Sequence, residues 1–416
     1  MTANPRLARI AVLILLAIFV SYIDRGNLST AAPLIKKELH LTPSQLGLLL
    51  SAFFMTYMSM QPVAGWLVDR FSAGSALALG FVLWSFATAA TGLAGGFAAL
   101  FACRLVLGVG ESVTFPALGK ICAENASESQ RGLATATCHA GVAFGPAFGV
   151  FFGGILIAAY GWRPFFIAFG LLSLLWVVAW MLLAQRHLAC AKPHESARAP
   201  LGIILKERSL WGASFGEFCA NYGFYFLLTW IPYYLVNERH WSLTQMAYIA
   251  GAAFLLLGVA MVLTGAICDK YVRAGASATS VRKTAFAVGN IGVCIGMLGC
   301  GFSHEHVAAA AWLLFAGAMS GVGGANMFVV SQTIAGAASA GRWIGVQNTV
   351  GNVAGVIAPS IAGVLVQYTG HFLAPFAIAA ALSLCSAAFW VFMLGEVAPI
   401  DWATRTYRTP VAIAEA

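Results

Sequence analysis

Runs of about 20 apolar residues recur along nearly the whole chain, separated by short segments where charged residues, Pro and small polar residues gather. A helix crossing the hydrocarbon core of a bilayer needs about that length. Marking such runs predicts spans at 10–32, 45–68, 74–94, 97–119, 132–158, 164–185, 209–236, 243–267, 283–303, 308–334, 343–368 and 371–394. The pattern is that of an all-α polytopic membrane protein with twelve transmembrane helices. Ile10 to Ile23 follows Arg6 and Arg9 and has the length of a signal-peptide core. No cleavage signal precedes Asp24 and apolar character resumes after Gly26, so the run reads as part of the first span.

Composition agrees: 60% of the 416 residues are hydrophobic and 9% charged. The net charge of +8 is spread over short segments between spans and forms no basic stripe of the kind that binds nucleic acid. It sets orientation instead. With a cytoplasmic N-terminus, 17 of the 23 Lys and Arg residues fall on the cytoplasmic side, four outside (Lys36, Lys37, Arg163, Arg239) and two inside helices (Arg25, Arg104). Both termini are therefore expected in the cytoplasm. The nine Cys residues show no CxxC and no Cys/His cluster, which argues against a metal centre or a disulfide framework and leaves them as packing residues.

The chain repeats itself. Gly65-Trp66-Leu67-Val68-Asp69-Arg70 after the second span returns as Gly265-Ala266-Ile267-Cys268-Asp269-Lys270 after the eighth. Arg131-Gly132 corresponds to Arg342-Trp343, and Gly145-Pro146 to Ala358-Pro359. The longest polar segment lies between the sixth and seventh spans. These features divide the chain into a six-helix unit at 1–185, a cytoplasmic linker at 186–208, a second six-helix unit at 209–394 and a cytoplasmic tail at 395–416. Two parallel six-helix units are a transporter architecture, with a substrate site expected between them near the midplane.

The Asp69-Arg70 signature, its second copy and Gly141-Val142-Ala143-Phe144-Gly145-Pro146 resemble the major facilitator superfamily over the whole chain. A narrower set resembles its anion:cation symporter family, which includes bacterial carriers for galactonate, glucarate and hexuronates. That set comprises Tyr22-Ile23-Asp24-Arg25-Gly26-Asn27-Leu28-Ser29, Arg104-Leu105-Val106-Leu107-Gly108-Val109-Gly110-Glu111, Asn221-Tyr222 with Leu228-Thr229-Trp230-Ile231-Pro232, and Gln347-Asn348-Thr349-Val350-Gly351-Asn352. The resemblance implies the major facilitator fold, and it implies proton coupling through Asp24 and Glu111. Two departures stand out. The first loop signature continues Phe71-Ser72-Ala73-Gly74-Ser75 without the usual basic pair, and the fifth span carries Thr137-Cys138-His139-Ala140 where sugar-acid carriers tend to place amides or hydroxyls.

Intramembrane charges are costly and mark function by default. Arg25 offers a planar fork of donors suited to a carboxylate, or else neutralises a neighbouring acid. Arg104 and Glu111 are two turns apart on one helix face, about 10 Å along the axis, too far for a direct pair without bending. Burial favours the protonated form of Glu111 and a nearby arginine the ionised one, so a bound anion can switch it; the alternative is a permanent ion pair that holds helices together. Tyr57 and Gln61, one turn apart, are candidate donors to substrate oxygens, against ordinary interface packing. His139 has the chemistry of a proton relay or of a hydrogen-bonded interface residue. Glu217, near the start of the seventh span, suits a gate or cap. Asn221, Tyr222, Tyr225, Trp230, Asn348 and Asn352 supply neutral groups for the uncharged part of a substrate, while Asp69, Arg70, Asp269 and Lys270 are expected at cytoplasmic gates.

These residues point to proton-coupled import of a small organic anion by a carrier working as a monomer, without cofactor or metal. An anion exchanger or exporter of the same architecture remains the alternative. An intramembrane enzyme is disfavoured, because no metal-ligand cluster, nucleophile/base pair or Walker motif is present.

Overall fold

The computed structural model describes residues 5–125, 141–142, 144–184 and 200–402, and of Pro5, Arg6, Asp69, Ala123, Ala337 and Ala338 only the backbone. His139, Thr137 and Cys138, Arg131, and most of the expected linker and tail lie outside the described residues.

The helices are α1 (Pro5–Glu38), α2 (Pro43–Arg70), α3 (Ala73–Thr91), α4 (Phe97–Glu111), α5 (Thr114–Asn125), α6 (Gly154–Tyr160), α7 (Trp162–Leu183), α8 (Leu201–Ile204), α9 (Arg208–Asn237), α10 (Leu243–Arg273), α11 (Ala278–Phe302), α12 (His306–Gly324), α13 (Met327–Thr369) and α14 (Leu373–Ala388), with π-helical turns at Gly149–Gly153 and Phe389–Met393. Among the described residues ten helical stretches are long and apolar enough to cross a membrane, and Phe144–Tyr160 is a shorter apolar helix. The twelfth, α9, is 30 residues long and carries Glu217, Asn221 and several tyrosines along its length.

The expected spans at 97–119, 308–334 and 343–368 correspond to Phe97–Cys122, His306–Gly336 and Ser339–Thr369, with two local breaks. The fourth span breaks after Glu111, where the Ser112 hydroxyl donates to the Val109 carbonyl at 2.7 Å and Pro116 supplies no N–H to close the turn. The tenth span, His306–Gly336, combines α12 with the start of α13, which turns sharply at Gly336 before the eleventh span, Ser339–Thr369. Gly336 has φ 68°, a left-handed conformation that glycine adopts without side-chain strain.

The repeat extends to a detail of the helix caps. His40 (φ 51°) and His240 (φ 52°) both take left-handed backbone after α1 and α9. Each is followed by a reciprocal capping box, Thr42 with Gln45 and Ser242 with Gln245, which satisfies two orphan N–H groups at the start of α2 and α10.

The two halves meet at the end of the molecule remote from the chain termini. Gly47 of α2 lies against Pro359 and Gly363 of α13, so closely that an added Cβ would stand 2.5 Å from the Pro359 carbonyl oxygen. Ser51 donates to the Val356 carbonyl at 2.7 Å, and the Ser44 N–H to Gln367 at 3.2 Å. The Trp230 indole N–H donates to the Pro359 carbonyl at 3.1 Å. Ser29 of α1 lies 2.7 Å from the Leu228 carbonyl of α9. These contacts reach as far as Phe54, which packs on Gly355. Beyond it, toward the termini, Ser59, Pro62, Val63, Trp66 and Arg70 of α2 are exposed, as are Arg342, Gly345 and Thr349 of α13. The molecule is thus closed at the loop end and open at the terminus end.

Candidate substrate and coupling site

Backbone proximity places the central charges. Gly141, Gly145, Gly149 and Gly153 recur every four residues and form a stripe on the fifth span that lies directly against α1. A Cβ on Gly145 would sit 2.7 Å from the Cβ of Tyr22, and one on Gly149 3.0 Å from the Cα of Ile23. A stripe of small residues lets two helices approach this closely. Gly108 of α4 packs in the same way on the Phe53 carbonyl of α2, and Gly110 on Trp84 of α3, where an added Cβ would stand 2.8 Å from the Trp84 backbone nitrogen. Tyr22, Arg25 and Glu111 are thereby drawn into one space.

Asp24 and Arg25, adjacent in sequence, point to different neighbours. Asp24 is buried and its Oδ1 accepts from the Thr88 hydroxyl at 3.0 Å. Arg25 turns to α4, where its Nε–H donates to Glu111 Oε2 at 2.9 Å. The Ser21 hydroxyl donates to the same oxygen at 2.7 Å. Arg25 therefore partners Glu111 and not Asp24, and Glu111 is held by Arg25 and not by Arg104. This is the outcome that the two-turn separation of Arg104 and Glu111 favours.

The Arg25 guanidinium is enclosed by aromatic rings, 4.4 Å from the centroid of Tyr22, 4.5 Å from Tyr57 and 4.9 Å from Phe53. Arg104 lies 5.3 Å from the Phe53 ring and within electrostatic reach of both Asp24 and Glu111. The cluster is buried yet incompletely bonded: Arg25 Nη2, Arg104 Nε, Asp24 Oδ2, Glu111 Oε1 and both side-chain polar atoms of Asn27 are buried without a hydrogen-bond partner. Gln61 Nε2, one turn from Tyr57 toward the open end, is also unpartnered. Buried polar groups are normally satisfied, so a concentration of unsatisfied donors and acceptors marks a place where a ligand or water completes the bonding.

The C-terminal half faces this cluster with α9 and α13. Tyr225 donates to Asn352 Oδ1 at 2.6 Å, and Asn352 donates to the Asn348 carbonyl at 2.8 Å. The Tyr222 hydroxyl is buried and unpartnered. Trp230 departs from its expected role in ligand contact. It is fully buried in the closed end, where a Cβ added to Gly363 would stand 3.2 Å from its ring, so it seals the halves instead of facing a ligand. Glu217 likewise caps no helix: it lies well inside α9, 1% exposed, beside Asn221 and Gln347.

Of the expected gate residues, Asp269 accepts from Arg282 Nη2 at 2.8 Å, and Arg282 also donates to Asn326 at 2.6 Å. This braces α10 on α11 and α12 within one half. Lys120 does related work in the other half, donating to the Val68 carbonyl at 2.6 Å. Lys270 and Arg70 are exposed. Sequence reasoning missed Ser21, Thr88, Arg282 and Lys120. Ser21 lies one turn before Arg25, the only available signal; Thr88 and Lys120 come from helices distant in sequence from their partners, and Arg282 from the helix that follows Asp269.

Comparison with known proteins bears on the family and the fold. The family model described as Major Facilitator Superfamily matches residues 14–281 and 274–414. A probable sulfoacetate transporter of Cupriavidus necator is 31% identical over 383 residues, 88% of each chain. A probable galactarate/D-glucarate transporter of Bacillus subtilis is 28% identical, covering 93% of this chain and 92% of its own. The hexuronate transporter of Bacillus subtilis is 28% identical, covering 89% and 90%. Among solved structures, a bacterial homologue of the human lysosomal transporter Spinster, inward-facing and occupied, superposes with TM-score 0.76 at 16% identity over 98% of both chains. A D-xylose-proton symporter superposes with TM-score 0.75 at 14% identity, over 94% of this chain and 99% of that one. The last two establish the fold alone. The match over most of its length, the twelve-helix architecture and the resemblance to bacterial sugar-acid carriers make this chain a multi-pass membrane transporter, not an enzyme, of the Major Facilitator Superfamily.

Proposed function

We propose that the chain is a proton-coupled importer of a small organic anion, a sugar acid or another carboxylate, working by alternating access as a monomer in the inner membrane with both termini in the cytoplasm. On this reading the units at 1–185 and 209–394 rock about the central site, joined by the linker at 186–208, and the tail follows from 395. The end open in this structure is then the cytoplasmic one. The relatives named above are carriers of sulfoacetate, galactarate or glucarate, and hexuronates, which are all small organic anions.

The observation that carries the reading is the buried Arg25–Glu111 pair, in which Arg25 Nη2 and Glu111 Oε1 are both unpartnered. A substrate carboxylate competes with Glu111 for the guanidinium fork. Once it prevails, Glu111 is a buried carboxylate without its cation, a state costly enough that it takes up a proton. Charge counting points the same way. Asp24 and Glu111 balance Arg25 and Arg104, so an entering anion leaves one negative charge in excess, and a proton on either acid restores neutrality. Asn221, Tyr222, Tyr225, Asn348 and Asn352 would hold the substrate's neutral portion, with Tyr57 and Gln61 donating from the first half.

Stoichiometry tests the scheme. At an inside-negative potential each charge moved is worth about 2.3 kcal/mol per 100 mV, so a bare monoanion is opposed by the field. Two protons, one for each acid, make import electrogenic and let both field and pH gradient drive it. Solid-supported-membrane recordings on proteoliposomes should show inward positive current with uptake of D-galacturonate, a monoanion, whereas the dianions sulfoacetate and D-glucarate should enter with two protons and no net current. Electroneutral uptake of a monoanion would reduce the count to one proton, and uptake that needs an anion inside would replace symport by exchange.

A further inference from the structure

The four central charges account for every acid that the proposed cycle uses, yet a fifth buried ionisable group stands opposite them. Glu217 of α9 is 1% exposed and its Oε2 has no hydrogen-bond partner. Its surroundings are built to receive a carboxyl. Gln347 of α13 is fully buried, with its Oε1 fixed by the Ser331 hydroxyl at 2.5 Å and the Trp343 indole at 3.1 Å, so the amide cannot flip without losing both bonds. That leaves Gln347 Nε2 without a partner of its own, on the side of Glu217 and Asn221. Gly351, one turn further along α13, makes the room: a Cβ there would stand 2.7 Å from the carboxyl carbon of Glu217. The groups acting on Glu217 are the Gln347 and Asn221 amides and the phenols of Tyr22 and Tyr225. Tyr22 and Tyr225 also act on Arg25, so Glu217 and Arg25 belong to one electrostatic neighbourhood.

No cation belongs to this set among the described residues, and the two arginines of the first half are already balanced by Asp24 and Glu111. A carboxylate buried without a cation is accommodated as the neutral acid. The acid has one O–H to donate, and the Gln347 and Asn221 amides lie beside its carboxyl.

We propose that Glu217 is a proton site of the C-terminal half that offers its O–H to an acceptor oxygen, of a hydroxyl, carboxylate or sulfonate, at the end of the substrate remote from Arg25. Proton and substrate then bind together at this site: the ionised carboxylate repels an acceptor oxygen, whereas the neutral acid bonds it. The unpartnered Tyr222 hydroxyl, on the same helix, is a second donor to that end. The α9 rise puts Glu217 about 12 Å from the level of Tyr225, which places the contact on the open side of the midplane. The ligand part of the inference rests on the organic-anion reading above, and the protonation part does not.

Two measurements on the purified full-length carrier test it. The infra-red carboxylic-acid band at neutral pH should lose intensity in Glu217→Gln and shift in Glu217→Asp; an unchanged band means that Glu217 is ionised and overturns the site. Calorimetry in two buffers of different ionisation enthalpy, at a pH raised until the Glu217 infra-red band of the ligand-free protein has disappeared and with sulfoacetate, D-glucarate and D-galacturonate as probes, should show one proton fewer taken up per acid bound by Glu217→Gln. Its affinity should correspondingly lose about one tenfold step of its dependence per pH unit. Equal proton uptake in the two proteins overturns the coupling to substrate. If none of the three acids binds the wild type, the organic-anion reading falls, an outcome that the infra-red band separates from failure of the proton site.

Discussion

Arg25→Lys is the sharpest test of the central site because it keeps the charge and removes the geometry. In this structure Arg25 spends Nε on Glu111 and keeps Nη2 unpartnered, while three aromatic rings lie within 4.9 Å of the guanidinium carbon. A lysine ammonium is a point charge on a flexible stem and reproduces neither the two-donor fork nor the planar stacking. Hydrogen bonds to charged groups are worth about 1.5–3 kcal/mol each, and a desolvated cation–π contact contributes roughly 2. Losing one fork bond to the substrate while retaining the charge should therefore cost about 2–3 kcal/mol, a weakening of roughly 30- to 150-fold. Arg25→Ala goes further, since it leaves Glu111 buried without its cation, an arrangement that costs about 3–5 kcal/mol. A thermal-shift screen of organic acids first identifies a ligand, which raises the melting temperature by binding only the folded state. Equilibrium binding of that ligand to the folded wild-type, Lys and Ala proteins then gives the three affinities. A Lys variant that binds within threefold of the wild type would refute Arg25 as the carboxylate anchor and leave it a structural partner of Glu111.

Glu111→Gln should retain binding and exchange of the same ligand in proteoliposomes while losing proton-driven accumulation; accumulation at the wild-type level would remove Glu111 from the coupling path. Gly351→Ala should destabilise the protein by about 1–3 kcal/mol through overpacking, because the new methyl meets the Glu217 carboxyl, and Glu217→Ala in the same chain should restore most of the lost melting temperature. No loss in the single variant would mean that α13 shifts freely at this point. Asp269→Arg breaks a half-exposed pair with Arg282, worth about 1 kcal/mol or less, so equilibrium binding should hold while the transport rate falls. Lost binding in a folded Asp269→Arg protein would place Asp269 in the site instead of in the brace of its half.

The sequence alone determined the membrane class, the twelve spans and the doubling of the chain, because bilayer thickness imposes a run length and the repeat preserves corresponding residues in the same order in both halves. It also determined which charges matter, since an Asp, a Glu and two arginines inside apolar runs have few explanations. Which charge meets which was decided by the tertiary structure. Asp24 and Arg25 are neighbours in the chain, but successive side chains on a helix diverge by about 100°, so one reaches Thr88 and the other Glu111. The glycines at 141, 145, 149 and 153 stand in plain view at a period of four, but only the docked helices show that they bring the fifth span against Tyr22 and Ile23. Trp230 and Glu217 show the same limit from both sides. A buried Trp reads alike as ligand platform or seal, and its bond to Pro359 makes it a seal. Glu217 reads as a cap from its place near a span's start, whereas its burial and the space left by Gly351 come from a helix more than a hundred residues away. Pattern along a chain reports what each helix must bury. Contact between helices distant in sequence depends on how they dock, and in this protein that docking pairs the charges and sets Glu217 opposite them.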